Sequence, residues 1–398
     1  MEIAQFFLVL ILILASAKLL AEMFAYFKLP AVLGEVMAGV IVGPSLLGWV
    51  HPNDILYLLA EIGILLLLFE VGLETDIAQL LSVGTKSVMV AATGVVVPAL
   101  LAYAVCTWIL GISFLASMFI AGTLVATSIG ISLRVLMELK QHETRTAKIV
   151  LGAAVLDDIA GVLILTLLFD LAVTHQVNAA HTALVFGYIV AFMLAAPILA
   201  KLLVPTMRRI TASGKTPGLL PTLAIILILT FAVVAHSIGA PSILGAFAAG
   251  IALSRHFFIP FGRLAEKHES FAEKVEHQLR PISGLFVPIF FFVVGASINL
   301  RVIDFGSTSF WKMAVVLTLV AVIGKMISGV FAEGAFREKL FCGIAMVPRG
   351  EVGLIFAEVG RKNAVLNEAM YATVVFVVAL TTLLAPIALR YLPPDTRE

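Results

Sequence analysis

Between residues 3 and 391 the chain repeats one pattern, an apolar run of about 20 residues closed by a short polar interruption. A helix rises about 1.5 Å per residue, so each run matches the roughly 30 Å hydrocarbon core of a bilayer. Within that layer every backbone N–H and C=O must find its partner inside the chain, and runs of this length satisfy that as α-helices. Composition agrees: residues are 61% hydrophobic and 13% charged, about half the charge of a soluble domain, and mean hydropathy is +1.10. The expected fold class is an all-α polytopic membrane protein with the lipid bilayer as its solvent. A net charge of +1 gives no case for nucleic acid. Cys106 and Cys342 lie within apolar runs and argue for neither a disulfide nor a metal. Glu2 is the one charge before the first run, with no basic stretch or small-residue cleavage site, so that run is a span and not a signal peptide.

The pattern predicts thirteen transmembrane helices, at about 3–24, 30–49, 55–74, 87–108, 112–133, 148–170, 182–204, 219–237, 240–254, 282–300, 312–332, 341–360 and 369–391. The ninth is short for a bilayer. The charged stretch 255–280 reads as an amphipathic surface helix. Nineteen loop lysines and arginines fall on one side. Only Arg301, Lys312, Arg361 and Lys362 fall on the other. The positive-inside rule then places the N-terminus outside and the C-terminus in the cytoplasm.

Two segments repeat. PAVLGEVMAGV (30–40) aligns with PSILGAFAAGI (241–251), sharing proline, leucine, alanine and two glycines. In the next spans, Phe69, Gly72 and Asp76 align with Phe292, Gly295 and Asn299. Span two thus matches span nine and span three matches span ten. Spans 1–6 and 8–13 form two copies joined by span seven, and an offset of seven spans turns the second copy upside down. Inverted repeats of this kind build secondary transporters, with the site at the repeat interface near the midplane.

Three charges stand where hydrocarbon is expected. VLDDIAG (155–161) carries Asp157 and Asp158 inside an apolar helix, with Asp157 roughly 13 Å from Lys148 along it. Lys325 is roughly 18 Å from Lys312 and from Arg337, too far to snorkel to either surface. An ionisable group at the bilayer centre costs about 2.5–3.5 kcal/mol on insertion scales, so each needs a partner or a water-filled cavity. Adjacent helical residues point about 100° apart. One aspartate can therefore pair with Lys325 while the other faces the cavity. Two close carboxylates cannot both ionise freely and titrate as a unit. A carboxylate that trades a proton for a hard monovalent cation is a carrier; the bland reading is a static Asp–Lys bridge between two helices.

Helix-weakening residues interrupt two further runs at matching repeat positions: Thr127 and Ser128 in span five, Pro348 and Gly350 in span twelve. Broken helices expose carbonyls to cations and N–H groups to anions. Arg349 and Glu351, in the second break, are secondary candidates that neutralise half-helix dipoles or pair with each other. Glu35, Glu70, Glu74 and Asp76 cluster at the cytoplasmic ends of spans two and three, as interfacial charge or as an acidic funnel.

The mid-helix Asp-Asp, the buried lysine, the opposed breaks and the phrases LPAVLGE (29–35) and PRGEVG (348–353) together resemble the monovalent cation:proton antiporters. The nearer branch holds the NapA-type sodium/proton antiporters and the Kef-type potassium efflux systems. The likeness runs over essentially the whole chain and implies an NhaA/NapA-like fold with two broken crossing helices. It implies that Asp158 is the ion- and proton-binding acid, that Asp157 salt-bridges Lys325, and that Thr127 and Ser128 form the unwound crossing beside them, with Na⁺ or K⁺ at the acids. Residues 1–80 would be scaffold and dimerisation helices, 81–172 core helices, 173–217 the linker helix, 218–304 further scaffold with the amphipathic segment, and 305–398 further core. Elevator-like movement of the core, a homodimer, no cofactor and a bacterial plasma membrane location follow. Kef-type systems usually carry a nucleotide-binding regulatory domain after the membrane region; here none is expected, which weakens that reading without excluding potassium.

The leading expectation is an electrogenic sodium (lithium)/proton antiporter and not an enzyme, since two acids and a lysine allow two protons to exchange for one cation. Potassium/proton exchange uses the same chemistry. A cation-coupled solute symporter wants more polar residues at the crossing than Thr127, Ser128 and Ser132, and a channel needs no titrating pair. The topology is directly testable. A reporter fused after Glu398 is expected to be protected from external protease in intact cells. Cleavage of that reporter from outside would overturn the orientation.

Overall fold

The computed structural model describes residues 3–27, 29–74, 84–174, 179–214, 216, 218–254, 269–298 and 300–392. These form helices α1 (Ile3–Tyr26), α2 (Ala31–Val42), α3 (Asp54–Glu74), α4 (Gly84–Ala104), α5 (Phe114–Val125), α6 (Ile129–Glu138), α7 (Arg145–Thr174), α8 (Ala179–Ser213), α9 (Leu219–Ser237), α10 (Ser242–Leu253), α11 (Glu269–Ala296), α12 (Thr308–Ser328), α13 (Phe336–Ala345), α14 (Glu351–Lys362) and α15 (Glu368–Tyr391). A π-helical turn, Val105–Ile109, continues α4. Among the described residues ten helical segments are long and apolar enough to cross a membrane. The apolar α2 and α10 have 12 residues each. At about 18 Å neither crosses a bilayer as a helix alone.

Most expected spans lie within a few residues of these helices, and the departures have local causes. The second run stops at Val42 because Gly43-Pro44 cannot continue it, so the chain turns through residues 43–53 without helix. Residues 269–280, expected in a separate surface helix, are instead the first turns of α11, which runs on through Pro281 and Pro288. Ala272, Val275 and Leu279 are buried on one face of those turns, while Glu273, Lys274 and Arg280 are exposed on the other. The amphipathic period is present, but its apolar stripe packs onto protein. Residues 255–268 of that stretch, Asp76 and Asn299 of the repeat, and the side chains of Glu74 and Glu351 lie outside the described residues.

The chain divides into two compact units. One comprises residues 1–57, 83–179 and 291–398. Its apolar centre gathers Cys106 after α4, Phe119 and Leu124 of α5, Leu317 of α12, Phe356 of α14 and Val374 of α15, all buried. Here α2 meets the last turns of α11 backbone to backbone: a Cβ on Gly39 would collide with the main chain of Phe292 and Ala296, and one on Gly295 with that of Val36. Gly34 likewise lies against the main chain of Leu20 and Ala21 in α1.

The second unit comprises residues 58–82 and 180–290. Within it α3 and α10 meet in the same manner. A Cβ on Gly72 would strike the main chain of Phe247, and one on Gly250 that of Phe69, while Gly245 lies against Phe231 and Ala232 of α9. The glycines that aligned in the sequence repeat are thus the close-contact points in both units. Lacking a Cβ, glycine is what lets two backbones approach this far.

Gly39→Val and Gly250→Val are each expected to destabilise by about 1–3 kcal/mol, the usual cost of overpacking. Gly284→Ala, whose added Cβ would meet nothing within 4 Å, is the control. Thermal unfolding in detergent reads the difference. Equal stability of all three variants would remove the close contacts from the account.

Candidate functional site

The site is built on two interrupted helices. Helix α5 stops at Val125; Ala126 (φ −62°, ψ 132°) and Ser128 (φ −81°, ψ 103°) are extended, and α6 resumes at Ile129. Helix α13 stops at Ala345, residues 347–350 carry no helix, and α14 resumes at Glu351. Pro348 explains the second break, because it offers no N–H and disfavours helix at the residue before it. In the first, Thr127 and Ser128 have hydroxyls that compete for backbone partners.

The two breaks cross and satisfy each other. The Ser128 N–H donates to the Pro348 carbonyl at 2.9 Å. The Ser132 hydroxyl donates to the Ala345 carbonyl at 2.7 Å, and Thr127 Oγ1 lies 3.2 Å from the Met346 carbonyl. Carbonyls orphaned where α13 ends thus find donors on the other segment, which a dry environment demands. Residues 121–133 and 341–350 are buried without exception. Arg349 belongs to the same arrangement. Fully buried, its Nη1 donates to the carbonyls of Met346 (3.1 Å) and Val347 (2.8 Å), and its Nη2 to Ala321 of α12 (3.2 Å). A cation at the C-terminal end of a half-helix opposes the partial negative charge there. The Thr382 hydroxyl of α15 fastens the same loop by donating to the Arg349 carbonyl.

Against this crossing α7 and α12 bring their charges. Lys325 Nζ donates to Asp157 Oδ2, and both side chains are 0% exposed. Thr127 Oγ1 lies 2.8 Å from the same oxygen, so the first break touches the ion pair directly. Asp158 follows on α7 and is 2% exposed. The structure therefore gathers Asp157, Lys325, Thr127, Ser128 and Arg349, with Asp158 adjacent in the chain. Glu35 is buried, with Lys18 Nζ 4.0 Å from its Oε1, and Glu70 belongs to the second unit.

Sequence reading missed Gly94. A Cβ there would come within 3.2 Å of Lys325 Nζ, and one on Gly324 would press on Pro98, so α4 leaves the space that Lys325 fills. The signal was Gly94 four residues before Pro98 in one apolar run. Chemically the assembly is a buried, overall compensated pair beside a second acid, with hydroxyl and carbonyl oxygens at hand. Such oxygens suit a hard cation.

Comparison with known proteins identifies the family. Residues 9–392 match the family model described as sodium/hydrogen exchanger, transmembrane. The high-affinity Na⁺/H⁺ antiporter NhaS3 of a Synechocystis species is 32% identical, over 98% of this chain and 90% of its own. The Na⁺/H⁺-K⁺ antiporter GerN of Bacillus cereus is 33% identical over 97% of this chain and 96% of its own. In fold, the chain is similar to the sodium proton antiporter MjNhaP1 of Methanocaldococcus jannaschii, at 18% identity with a TM-score of 0.73 over the full length of both. With its all-helical architecture and its family match over nearly every residue, the chain belongs to the sodium/hydrogen exchanger family: it is a multi-pass membrane antiporter and not an enzyme.

Proposed function

We propose that this antiporter exchanges sodium or lithium for protons, electrogenically, at Asp158. The observation that carries the reading is the buried Lys325–Asp157 pair, tied by Thr127 to the crossing and followed at once by a second buried acid. Lys325 compensates Asp157, and we assign to Asp158, the second buried acid on α7, the trade of a proton for a cation. Occupation by one excludes the other, and this competition couples the two fluxes. With two acids and a lysine at one site, two protons can return for each cation. NhaS3 is named as a Na⁺/H⁺ antiporter and GerN as a Na⁺/H⁺-K⁺ antiporter; sodium is common to both, which favours it over a Kef-type potassium/proton exchange.

The transport cycle we infer is alternating access, with α4–α7 and α12–α15 moving as an elevator-like core against the remaining scaffold helices of a homodimer in the bacterial plasma membrane. Thirteen spans follow when α2, α10 and the two interrupted pairs are each counted as one crossing. The paired glycine contacts of α2 and α10 support two inverted six-helix copies. The N-terminus then lies outside.

Asp158→Asn keeps size and hydrogen bonding but neither releases a proton nor balances a cation. It is expected to give a folded protein with no exchange at any pH, read as dequenching of a pH-sensitive dye in proteoliposomes given Na⁺, Li⁺ or K⁺. Normal exchange by that variant would mean that the site lies elsewhere. Asp157→Asn is expected to be less severe.

Lys325→Gln strands a buried carboxylate, a change that typically costs about 3–5 kcal/mol. Lower thermal stability and an altered pH profile, with some exchange retained, are expected. Unchanged stability together with an unchanged profile would take Lys325 out of the mechanism.

A further inference from the structure

Where α8 ends, the first turns of α9 and α11 close around an open cavity of about 490 Å³. Its walls belong wholly to the second unit and include no residue of the exchange site. Arg208 of α8 and Lys274 of α11 bring two cations to it, with the polar side chains of Thr216 and Gln278 beside them. Among the described residues no carboxylate lines it; Glu273 and Glu276, on α11 as well, stand outside its wall. The Arg208 guanidinium lies over the Phe271 ring, 5.0 Å from its centre. Stacking of this kind uses the face of a guanidinium, while its N–H donors point outward in the plane.

The chain enters α9 at the same wall. Gly218 has φ 80° and ψ 4°, the left-handed region that suits glycine, and no side chain caps the helix that follows. The N–H groups of Leu219 and Leu220 have no acceptor one turn back, and Pro221 has no N–H. The Thr222 N–H is the first to be taken up, by the Gly218 carbonyl at 3.1 Å. The positive end of a 19-residue helix therefore opens onto the cavity that holds the two cations.

We propose that this cavity binds a phosphate-bearing anion, supplied by the headgroup of an anionic phospholipid. A guanidinium, an ammonium group and uncapped backbone N–H groups with no carboxylate among them are the chemistry that phosphate oxygens take. The space exceeds what a bare phosphate fills, so it has room for a headgroup. Location argues for lipid as the source. Arg208 lies on the last turns of α8, where that apolar span ends. Leu203 and Ile210 of α8 and Ile226 and Leu229 of α9 are exposed, giving acyl chains an apolar surface on the same two helices. Basic pockets at helix ends in the membrane surface hold lipid headgroups in this way.

The test uses purified, delipidated full-length protein in detergent, with phosphatidylglycerol, phosphatidylcholine and inorganic phosphate as probes. Phosphatidylglycerol should raise the unfolding temperature saturably and remain bound in native mass spectrometry. Arg208→Gln/Lys274→Gln should weaken its apparent Kd about thirtyfold, the combined effect of two basic groups at a membrane surface. Arg209→Gln/Arg280→Gln removes the same charge from exposed positions on the same two helices outside the cavity, and should leave the Kd within about twofold. Gln278→Glu keeps Arg208 and Lys274 and places a carboxylate in the wall at an exposed position, so it reads the site even if the first pair fails to fold. It should weaken binding about tenfold. Inorganic phosphate that gives the same shift and displaces the lipid would support the site and make a soluble phosphate its ligand. Equal weakening by the two double variants would overturn the site in favour of general surface charge. A wild-type Kd in Gln278→Glu, equal binding of phosphatidylcholine, or no shift with any probe would overturn it too.

Discussion

The pair formed by Lys325 and Asp157 is the interaction that the rest of the first unit is arranged to permit. Two charges withdrawn from water cost several kcal/mol each, and attraction offsets this only when the geometry is good and the remaining polar atoms are bonded. Each neighbour contributes to that condition. Thr127 adds a donor to the carboxylate, Gly94 leaves room for the ammonium group, and Gly324 lets α12 lie close on Pro98. The pair is weak evidence for stability and strong evidence for specification, since it fixes the rotation of both α7 and α12 at once.

The crossing solves a second problem with the same economy. Interrupting two helices frees backbone groups in a region with no bulk water. The Ser128 N–H and the Ser132 hydroxyl answer carbonyls on the opposite segment, and Arg349 donates to three carbonyls with a single guanidinium. The five donors of arginine lie in a rigid planar fork, which suits it to hold several carbonyls where lysine would hold fewer. Irregular backbone is thus bought with side-chain donors, and the result is a rigid frame beside two acids.

Much of this was legible in the sequence because the bilayer simplifies the reading. Apolar runs located the helices, and Asp157, Asp158 and Lys325 stood out because hydrocarbon makes a charge conspicuous. Pro348 and the Thr127-Ser128 pair marked both breaks. What escaped depends on rotation and fit. Spacing alone left open which aspartate meets Lys325; the family likeness implied Asp157, and the structure places Asp157 there. The three carbonyls, from α12 and its own loop, to which Arg349 donates could not be read from the sequence. The space left by Gly94 is a property of two helices far apart in the chain. The stretch 255–280 read as a helix separate from the span at 282–300, but α11 runs from residue 269 through Pro281, because a proline costs one backbone bond and the buried stripe of Ala272, Val275 and Leu279 stabilises the turns before it.

The glycine seams between α2 and α11, and between α3 and α10, carry a consequence for divergence. Where main chain lies against main chain, no side chain has to match another across the contact. Neighbouring residues are then at liberty to drift, provided that they stay apolar and the glycines remain. A contact of that kind records almost no sequence identity, so the architecture can be inherited long after the residues around it have ceased to resemble one another.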